Sequence, residues 1–303
     1  MRTVTSVKAL REALTAPRRA GATIGLVPTM GAFHEGHLSL MRRARQERDL
    51  VVVSLFVNPT QFDDPRDFDV YPRDEAADVA RAAAEGVDVL FAPPPAEIYP
   101  VDFATHVTVD GLTERLEGAS RGRGHFTGVT TVVTKLLNMV GPDVAYFGQK
   151  DAQQAVVIKR LVRDLDLRVS IEVCPIVRDT DGLALSSRNA HLSAVDRQRA
   201  LALSQALALV TAAVQSGERD PHAATAPART AVQAASVELE YLELVDPETF
   251  VPVSVVEGAV TAVIAGRVGA TRLIDNTLIE APRRAPHAPA RRPRSAAPVP
   301  GRA

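Results

Sequence analysis

Short apolar runs alternate with helix-like stretches through the first half of the chain. Four runs are brief, rich in β-branched residues and bounded by proline, glycine or aspartate, as buried strands are. These predicted strands are ATIGLVPT (22–29), LVVVSLFV (50–57), DVLFAP (88–93) and DVAYFG (143–148). Helical spacing is found at 36–47, 73–85, 129–139 and 151–165. The alternation predicts an α/β fold, a Rossmann-like parallel sheet with helices on both faces, because strands covered on both sides are apolar throughout.

The pattern changes in the second half of the chain. Long helices are predicted at about 194–215 and 224–237. Three strands follow them, YLELVD (241–246), AVTAVIAGRV (259–268) and TRLIDNTLIE (271–280). Helices followed by adjacent strands favour a smaller α+β domain. The predicted domains are therefore 1–177, the Rossmann-like domain, and 178–280, the α+β domain.

The segment 281–303 consists almost entirely of alanine, arginine and proline, and it predicts a disordered tail. Its six arginines leave a net charge of −7 on 1–280, although the whole chain carries only −1. That balance points to no nucleic-acid partner, and every apolar run is far shorter than the ~20 residues that span a membrane. A single cysteine, Cys174, and a charged N-terminus favour a cytoplasmic location.

The segment VPTMGAFHEGHL (27–38) carries the strongest chemical pattern. A predicted strand ends, a glycine turn follows, and a helix begins near Gly36, so His34 and His37 lie on one side of its first turn. The N–H groups and partial positive charge of a helix N-terminus bind phosphate, and two imidazoles there could donate to phosphate oxygens. Two surface histidines are the plainer interpretation of an isolated pair. A zinc pair would usually have i, i+4 spacing.

Three further polar segments follow predicted strands or precede a predicted helix. Asn58 and Gln61 stand at the carboxyl end of a strand, where α/β sheets bind ligands, although Asn-Pro also favours a plain turn. Lys150 and Asp151 follow the strand at 143–148, where a cation suits phosphate and a carboxylate suits Mg²⁺; an exposed charge pair is the alternative. The loop 186–188, Ser-Ser-Arg, could close over a triphosphate or merely precede a helix.

Four segments in this order resemble the pantothenate synthetase family: PTMGAFHEGHL (28–38), SLFVNPTQF (54–62), FGQKDAQQ (147–154) and DGLALSSRN (181–189). YPR (71–73) and RGHF (123–126) also fit. The H-x-G-H string is similar to the signature of the nucleotidyl-transferase superfamily, which includes class I aminoacyl-tRNA synthetases. The resemblance implies an AMP-forming ligase that joins pantoate to β-alanine through a pantoyl adenylate. It further implies ATP as substrate, Mg²⁺, and a homodimer.

The resemblance also implies roles for individual residues. It assigns catalysis to His34, His37 and Lys150. It assigns ATP binding to Met30, Gly31, His34, Gly36, His37, Gly148, Gln149, Lys150, Asp151, Val177, Leu185, Ser186, Ser187 and Arg188. It assigns pantoate binding to Asn58, Gln61 and Gln154, β-alanine binding to Gln61, and Mg²⁺ to Asp151. The first domain would bind nucleotide and pantoate, and the second would carry the Ser-Ser-Arg loop.

Two positions depart from the family pattern. Gln149 stands where glutamate is typical, and Ala152 stands where an aromatic residue is usual. A dinucleotide-forming nucleotidyl transferase of the same superfamily is the alternative enzyme. A nucleotide-binding module without catalysis is the alternative of another class, and the presence of both histidines and the lysine argues against it.

Overall fold

A six-stranded, fully parallel sheet forms the centre of the first half of the protein in a computed structural model, which describes residues 1–62 and 65–282. Its strands are β1 (Arg2–Val4), β2 (Ile24–Thr29), β3 (Leu50–Leu55), β4 (Val89–Phe91), β5 (Val144–Gly148) and β6 (Ser170–Cys174). The strand order is β1-β4-β3-β2-β5-β6. The predicted parallel sheet is therefore confirmed, with two short strands, β1 and β6, that the hydrophobic pattern did not reveal.

Helices cover both faces of this sheet. They are α1 (Val7–Arg19), α2 (Glu35–Glu47), α3 (Pro65–Asp69), α4 (Glu75–Ala84), α5 (Pro95–Ile98), α6 (Glu117–Arg121), α7 (Arg123–Val140) and α8 (Ala152–Asp164). Leu26 and Val52 pack towards α1 and α7, whereas their neighbours Val27 and Val53 pack towards α2 and α4. Successive side chains of a strand point to opposite faces, so both sets are buried and the strand has no polar side.

A second, three-stranded antiparallel sheet follows in the chain. It consists of β7 (Glu238–Val245), β8 (Ala259–Val268) and β9 (Thr271–Glu280) in the order β7-β8-β9. One face packs against α9 (Ala194–Gln215) and α10 (Pro221–Ala234) through aliphatic side chains such as Leu203, Val232 and Ile264. This is the α+β arrangement that the sequence predicted. Ser193 caps α9, since its hydroxyl accepts a hydrogen bond from the backbone N–H of Asp196.

Tertiary contacts change some details of the predicted elements. Helix α7 begins at Arg123, six residues before the predicted start, and Gly122, with φ 84°, separates it from α6. In α2, Leu40, Met41 and Ala44 form the buried face, and Arg42 lies on the exposed face with ion pairs to Glu35 and Glu85.

The chain end deviates from the predicted tail boundary. Ala281 is buried, and its N–H donates to the carbonyl of Gly258 over 2.9 Å. The ordered fold thus continues at least to residue 282, and the rest of the predicted tail, 283–303, lies outside the described residues. Among the helices that the structure describes, none is long and apolar enough to cross a membrane.

The strand order reverses direction at β2. The chain proceeds from β2 to β3 and β4 on one side, whereas β5 and β6 lie on the other side. At such a switch point the loops leave adjacent strands in opposite directions and open a crevice at the carboxyl ends of the strands. The loops after β2, β3 and β5 carry the predicted chemistry, so the fold brings them to one edge of the sheet.

Candidate active site

A cavity of about 820 Å³ occupies this crevice. Its walls come from the loops after β2, β3, β5 and β6, from α7, and from β8 and β9 of the small sheet. Of the predicted site residues, it brings together Met30, His34, Gly36, His37, Asn58, Gln61, Gly148, Lys150, Asp151, Gln154, Val177, Leu185, Ser186, Ser187 and Arg188. Gly31 and Gln149 lie beside the cavity and do not line it. One cavity therefore contains groups suited to phosphate, to a hydroxy acid and to an amine.

The two histidines form the start of α2. His34 is the N-cap, and its Nδ1 accepts a hydrogen bond from the N–H of Gly36 over 3.1 Å. The Nδ1 of His37 accepts from the N–H of His34 over 3.3 Å, which completes a reciprocal capping box. A Cβ on Gly36 would lie 2.9 Å from the His34 ring, so glycine is what allows the imidazole to fold back over the helix.

This capping changes the prediction that helix N–H groups bind phosphate. The N–H groups of Gly36 and His37 donate to Nδ1 and to the carbonyl oxygen of His34, respectively, and that of Leu38 also donates to this carbonyl. The imidazole Nε2 atoms remain available as donors to a ligand. The histidine rings therefore cap part of this helix end and add donors of their own.

The hydrogen bonds fix the tautomer of both rings. Because each Nδ1 accepts a hydrogen bond, a neutral ring must carry its hydrogen on Nε2. Burial, with the nearby Lys150 charge, lowers the pKa of His34 to about 4, and burial, with the His34 ring, lowers the pKa of His37 to about 3. The rings lie with their centroids 4.1 Å apart. They are half-buried rather than surface histidines, and at neutral pH they present two uncharged N–H donors.

The stability of the fold should depend on pH through these rings. His34, His37 and His125 all have lowered pKa values in the folded protein, to about 4, 3 and 4. Below the ordinary histidine pKa of about 6.5 the unfolded chain binds protons that the native protein does not. The free energy of unfolding therefore decreases as the pH is lowered, until the pH reaches the pKa values of the folded protein. We expect the melting temperature to drop by about 5 °C between pH 6.5 and 5.

Differential scanning fluorimetry between pH 6.5 and 5 measures that dependence. This range lies above the pH at which most carboxylates titrate. The exposed His222 provides the control: His222→Gln should retain the wild-type slope, whereas His125→Gln should have a shallower one. A melting temperature that is constant between pH 6.5 and 5 would contradict the buried, neutral state of the rings.

The loop after β3 is held against α7. Asn58 is buried, and its amide nitrogen donates to the carbonyl of Gly128 and to Oε1 of Gln61, each over 3.1 Å. Its carbonyl oxygen accepts from the hydroxyls of Thr60 and Tyr99. The Asn58 side chain thus already has four partners, and the geometry favours a role in orienting the carboxamide of Gln61.

His125 supports the same loop from α7. Its Nδ1–H donates to the backbone carbonyl of Gln61 over 2.8 Å, and burial, with the charge of Arg121, lowers its pKa to about 4. The carboxamide nitrogen of Gln61 meets the sulfur of Met30 at 2.9 Å. Since Met30 follows β2 and Gln61 follows β3, this contact joins the two loops at the floor of the cavity.

The lysine lies in a 3-10 turn, Gln149–Asp151, between β5 and α8. Asn276 of β9 holds this turn, because its amide donates to the backbone carbonyls of Gln149 over 2.9 Å and of Lys150 over 3.0 Å. The side chain of Gln149 donates to Oδ1 of Asn276 over 3.3 Å, so the position that departs from the family pattern contributes to the support of the turn. Ala152 is partly buried and packs near Phe126 and Val157.

The Ser-Ser-Arg loop closes the cavity from the opposite side. Ion pairs anchor its start: Arg178 forms a bidentate pair with the buried Asp275 at 2.7 and 2.9 Å, and Asp181 pairs with Arg197 at 2.8 Å. Burial lowers the pKa of Arg188, and among the described residues its guanidinium has no ion-pair partner. A cation in a polar cavity that lacks an internal counter-ion is suited to an anionic ligand.

The cavity wall formed by α6 and the small sheet carries a buried charge cluster that the sequence did not reveal. Glu117 of α6 accepts from Arg272 over 2.6 and 2.9 Å and from the hydroxyl of Tyr241 over 2.6 Å. Burial alone would raise its pKa, but the hydrogen bond from Arg272 and the charge of Arg121 bring it down to about 2. This cluster joins α6 to the small sheet and fixes that side of the cavity.

Few side chains around the cavity could bind a metal ion. Asp151 lines the cavity, and no group of three or more histidine, cysteine, aspartate or glutamate side chains suited to a metal is found within residues 1–62 and 65–282. Mg²⁺ at nucleotide sites typically takes one or two carboxylates and completes its shell with phosphate oxygens and water. A single carboxylate beside the phosphate-binding groups fits that mode and does not fit a closed protein cage.

Some residues of the site were missed although signals existed. Tyr71 and His125 lie in segments that matched the family pattern, and both line the cavity. Asn276 and Asp275 are consecutive polar residues inside a strand, which breaks the polar–apolar alternation and marks a special role. Glu117 has no comparable signal, because its partner Arg272 is 155 residues away in the chain.

The parallel sheet, the histidine-capped helix at its switch point and the opposing lysine and arginine define a nucleotide-binding α/β enzyme. The pantoate-beta-alanine ligase family matches residues 2–278. The chain belongs to this family.

Individual relatives agree with this result. The pantothenate synthetase of Acidobacterium capsulatum is 53% identical and aligns with 87% of this chain and 90% of its own length. That of Moorella thermoacetica is 50% identical over 92% of this chain and 99% of its own. The crystal structure of pantothenate synthetase from Thermus thermophilus has a TM-score of 0.87 at 46% identity and covers 91% of this chain and 99% of its own. Both the predicted family and the predicted class of enzyme, a ligase, are confirmed.

A further solved structure contains ligands. It is the pantoate-beta-alanine ligase from Francisella tularensis, complexed with beta-gamma ATP and β-alanine. It is 35% identical, has a TM-score of 0.77, and covers 92% of this chain and 97% of its own.

Proposed function

We propose that this chain condenses pantoate with β-alanine, using ATP, and that the reaction passes through an enzyme-bound pantoyl adenylate. The observation that carries the proposal is the set of phosphate-directed groups around one cavity: two neutral imidazole donors, Lys150 and Arg188. Family membership and the ligands of the Francisella tularensis relative support the choice of substrates.

Pantoate is a dihydroxy acid with two methyl groups on one carbon, and the cavity offers partners for both features. The carboxamides of Gln61 and Gln154 lie on the cavity wall and can each donate and accept hydrogen bonds. Val129, Val132 and Val133 of α7 supply an apolar surface beside them. We infer that the glutamines bind the hydroxyls and carboxylate while the valines contact the methyl groups.

In the first step, a carboxylate oxygen of pantoate attacks the α-phosphorus of ATP. The bond from this phosphorus to the bridging oxygen breaks, and pyrophosphate leaves with the electron pair. The Nε2–H groups of His34 and His37 donate to phosphate oxygens, and the charges of Lys150 and Arg188 stabilise the negative charge that develops there. Because both imidazoles are neutral, they act as donors and not as proton-transfer acids.

In the second step, the free amine of β-alanine attacks the carbonyl carbon of the adenylate. The carbon–oxygen bond to AMP breaks, AMP leaves with the electron pair, the nitrogen loses its proton to solvent, and pantothenate and AMP result. The Gln61 carboxamide contacts Met30 and lines the cavity, so it can orient the amine as well. Positioning accounts for much of the rate, since acyl transfer from an adenylate needs little covalent help.

Mg²⁺, homodimer formation and a cytoplasmic location complete the proposal. Asp151 would hold the ion together with phosphate oxygens, and the ion would neutralise charge on the leaving pyrophosphate. The dimer rests on the family resemblance, and the location rests on the sequence features given above.

Isotope exchange tests the mechanism. Labelled pyrophosphate should exchange into ATP when the purified chain, Mg²⁺ and pantoate are present and β-alanine is absent, because every reactant of the first step is then bound. Exchange should vanish without pantoate. A concerted reaction of all three substrates predicts no exchange until β-alanine is added. A dinucleotide-forming transferase predicts no dependence on pantoate, and that result would overturn the functional assignment.

A further inference from the structure

The turn that precedes His34 has an unfavourable backbone conformation. Gly31 has φ 86° and Ala32 has φ 52°, so two consecutive residues lie in the left-handed region. Glycine adopts this conformation readily, whereas alanine does so at a cost. Such a conformation persists only where the surrounding structure imposes it, and it frequently does so at functional sites.

Asp78 of α4 binds this turn on the side that faces away from the main cavity. Its Oδ2 accepts the N–H of Ala32 over 2.8 Å, and its Oδ1 accepts the N–H of Phe33 over 2.7 Å. The carboxylate is 1% exposed, and among the described residues no cation forms an ion pair with it. A buried carboxylate without a counter-ion is costly unless hydrogen bonds stabilise its charge, and here the backbone of the turn supplies those bonds.

Arg81, one helical turn further along α4, binds the other side of the same turn. Its guanidinium donates to the backbone carbonyl of Phe33. The turn is also tightly enclosed, because a Cβ on Gly31 would lie 2.9 Å from Oδ2 of Asp78 and 2.6 Å from Cδ1 of Leu55. The N–H groups of Ala32 and Phe33 and the carbonyl of Phe33 are therefore all bound by side chains of one helix.

We propose that Asp78, assisted by Arg81, is a positioning residue that fixes the turn 31–33 and thereby aims the His34 and His37 rings at the phosphate site. Asp78 does not touch the main cavity; it lines a separate space of about 230 Å³ behind the turn, so it acts through the backbone alone. That the rings point at a phosphate rests on the proposed function. That Asp78 sets the position of the rings does not depend on it.

The test compares Asp78→Asn with Asp88→Asn in the full chain. An asparagine at residue 78 keeps one acceptor oxygen, so one of the two bonds to the turn is lost while the side-chain volume is retained. Asp88 is the matched control, because its carboxylate also accepts a backbone N–H, that of Val51 over 2.8 Å, but at the start of β3 and remote from the cavity. Arg81→Gln is the second variant, at an exposed position where we expect the substitution to leave the fold intact.

Two measurements separate positioning from a general loss of stability. Nitrogen-15 NMR of the histidine rings should show that Asp78→Asn loses the single Nε2–H tautomer of His34 and His37, whereas Asp88→Asn retains it. Pyrophosphate exchange should fall about tenfold or more in Asp78→Asn and about threefold in Arg81→Gln, with less than about a twofold change in Asp88→Asn.

Unchanged ring tautomers in Asp78→Asn, or an equal loss of exchange in Asp88→Asn, would overturn the inference. If Asp78→Asn does not fold, the same two measurements on Arg81→Gln decide, and wild-type values there would overturn it. Absence of exchange in the wild type would contradict the proposed function instead, and the ring spectra would still test the position of the turn.

Discussion

Lys150→Ala should slow adenylate formation by about 10²–10³-fold, a loss of about 3–4 kcal/mol of transition-state stabilisation. Lys150 lines the cavity on a turn whose backbone carbonyls are held by Asn276, so its ammonium group reaches the phosphate site from a fixed base. Alanine removes the charge and leaves these backbone bonds intact. The effect should therefore appear in the rate and not in the stability of the fold.

Single-turnover formation of the adenylate, measured by rapid quench with labelled ATP, gives this rate directly. Lys159→Ala is the control, because Lys159 is an exposed lysine on α8 and lies outside the cavity. It should retain the wild-type rate within about twofold. A less than threefold loss in Lys150→Ala would remove Lys150 from the phosphate-binding groups.

His37→Ala should slow the same step by about 10²-fold or more, since it removes one preorganised donor from the phosphate site. His37→Gln should retain much more activity, because its terminal amide can place an N–H close to the position of Nε2. The comparison distinguishes a neutral donor from an imidazolium ion, which glutamine cannot replace. Rates should show no histidine titration between pH 6 and 8, given the lowered pKa of His37 of about 3.

Exposed His222 near the start of α10 is the matched control, and His222→Ala should have the wild-type rate. His37→Ala loses the capping bond to the N–H of His34, so circular dichroism must accompany the kinetics. Equal losses in the alanine and glutamine variants would contradict the donor role. Lost activity together with a lost fold would indicate a structural histidine.

Local patterns were sufficient to predict most of the fold. Strand β3 (Leu50–Leu55) is buried on both faces because helices cover both, and the helix at 194–215 begins at a serine cap, so sequence and environment agree there. Strand β1 has only three residues, Arg2–Val4, and its pairing with β4 is a long-range contact that no local pattern encodes.

The site was predictable where its groups follow strands in recognisable motifs. His34, Gln61 and Lys150 belong to that set, and they lie around one cavity. The hydrogen-bond acceptor of each backbone N–H could not be predicted in the same way. Whether an amide at a helix start is free for phosphate depends on side chains that fold back, as the His34 ring does, and on distant residues such as Asp78.

The adjacent residues Asp275 and Asn276 link the two sides of the phosphate site. Asp275 binds Arg178 at the base of the Ser-Ser-Arg loop, and Asn276 binds the turn of Lys150. The small sheet therefore acts as a spacer that sets the width of the crevice between the lysine and the arginine. A rigid-body shift of that sheet would have to break the Asn276 bonds or carry the lysine turn with it.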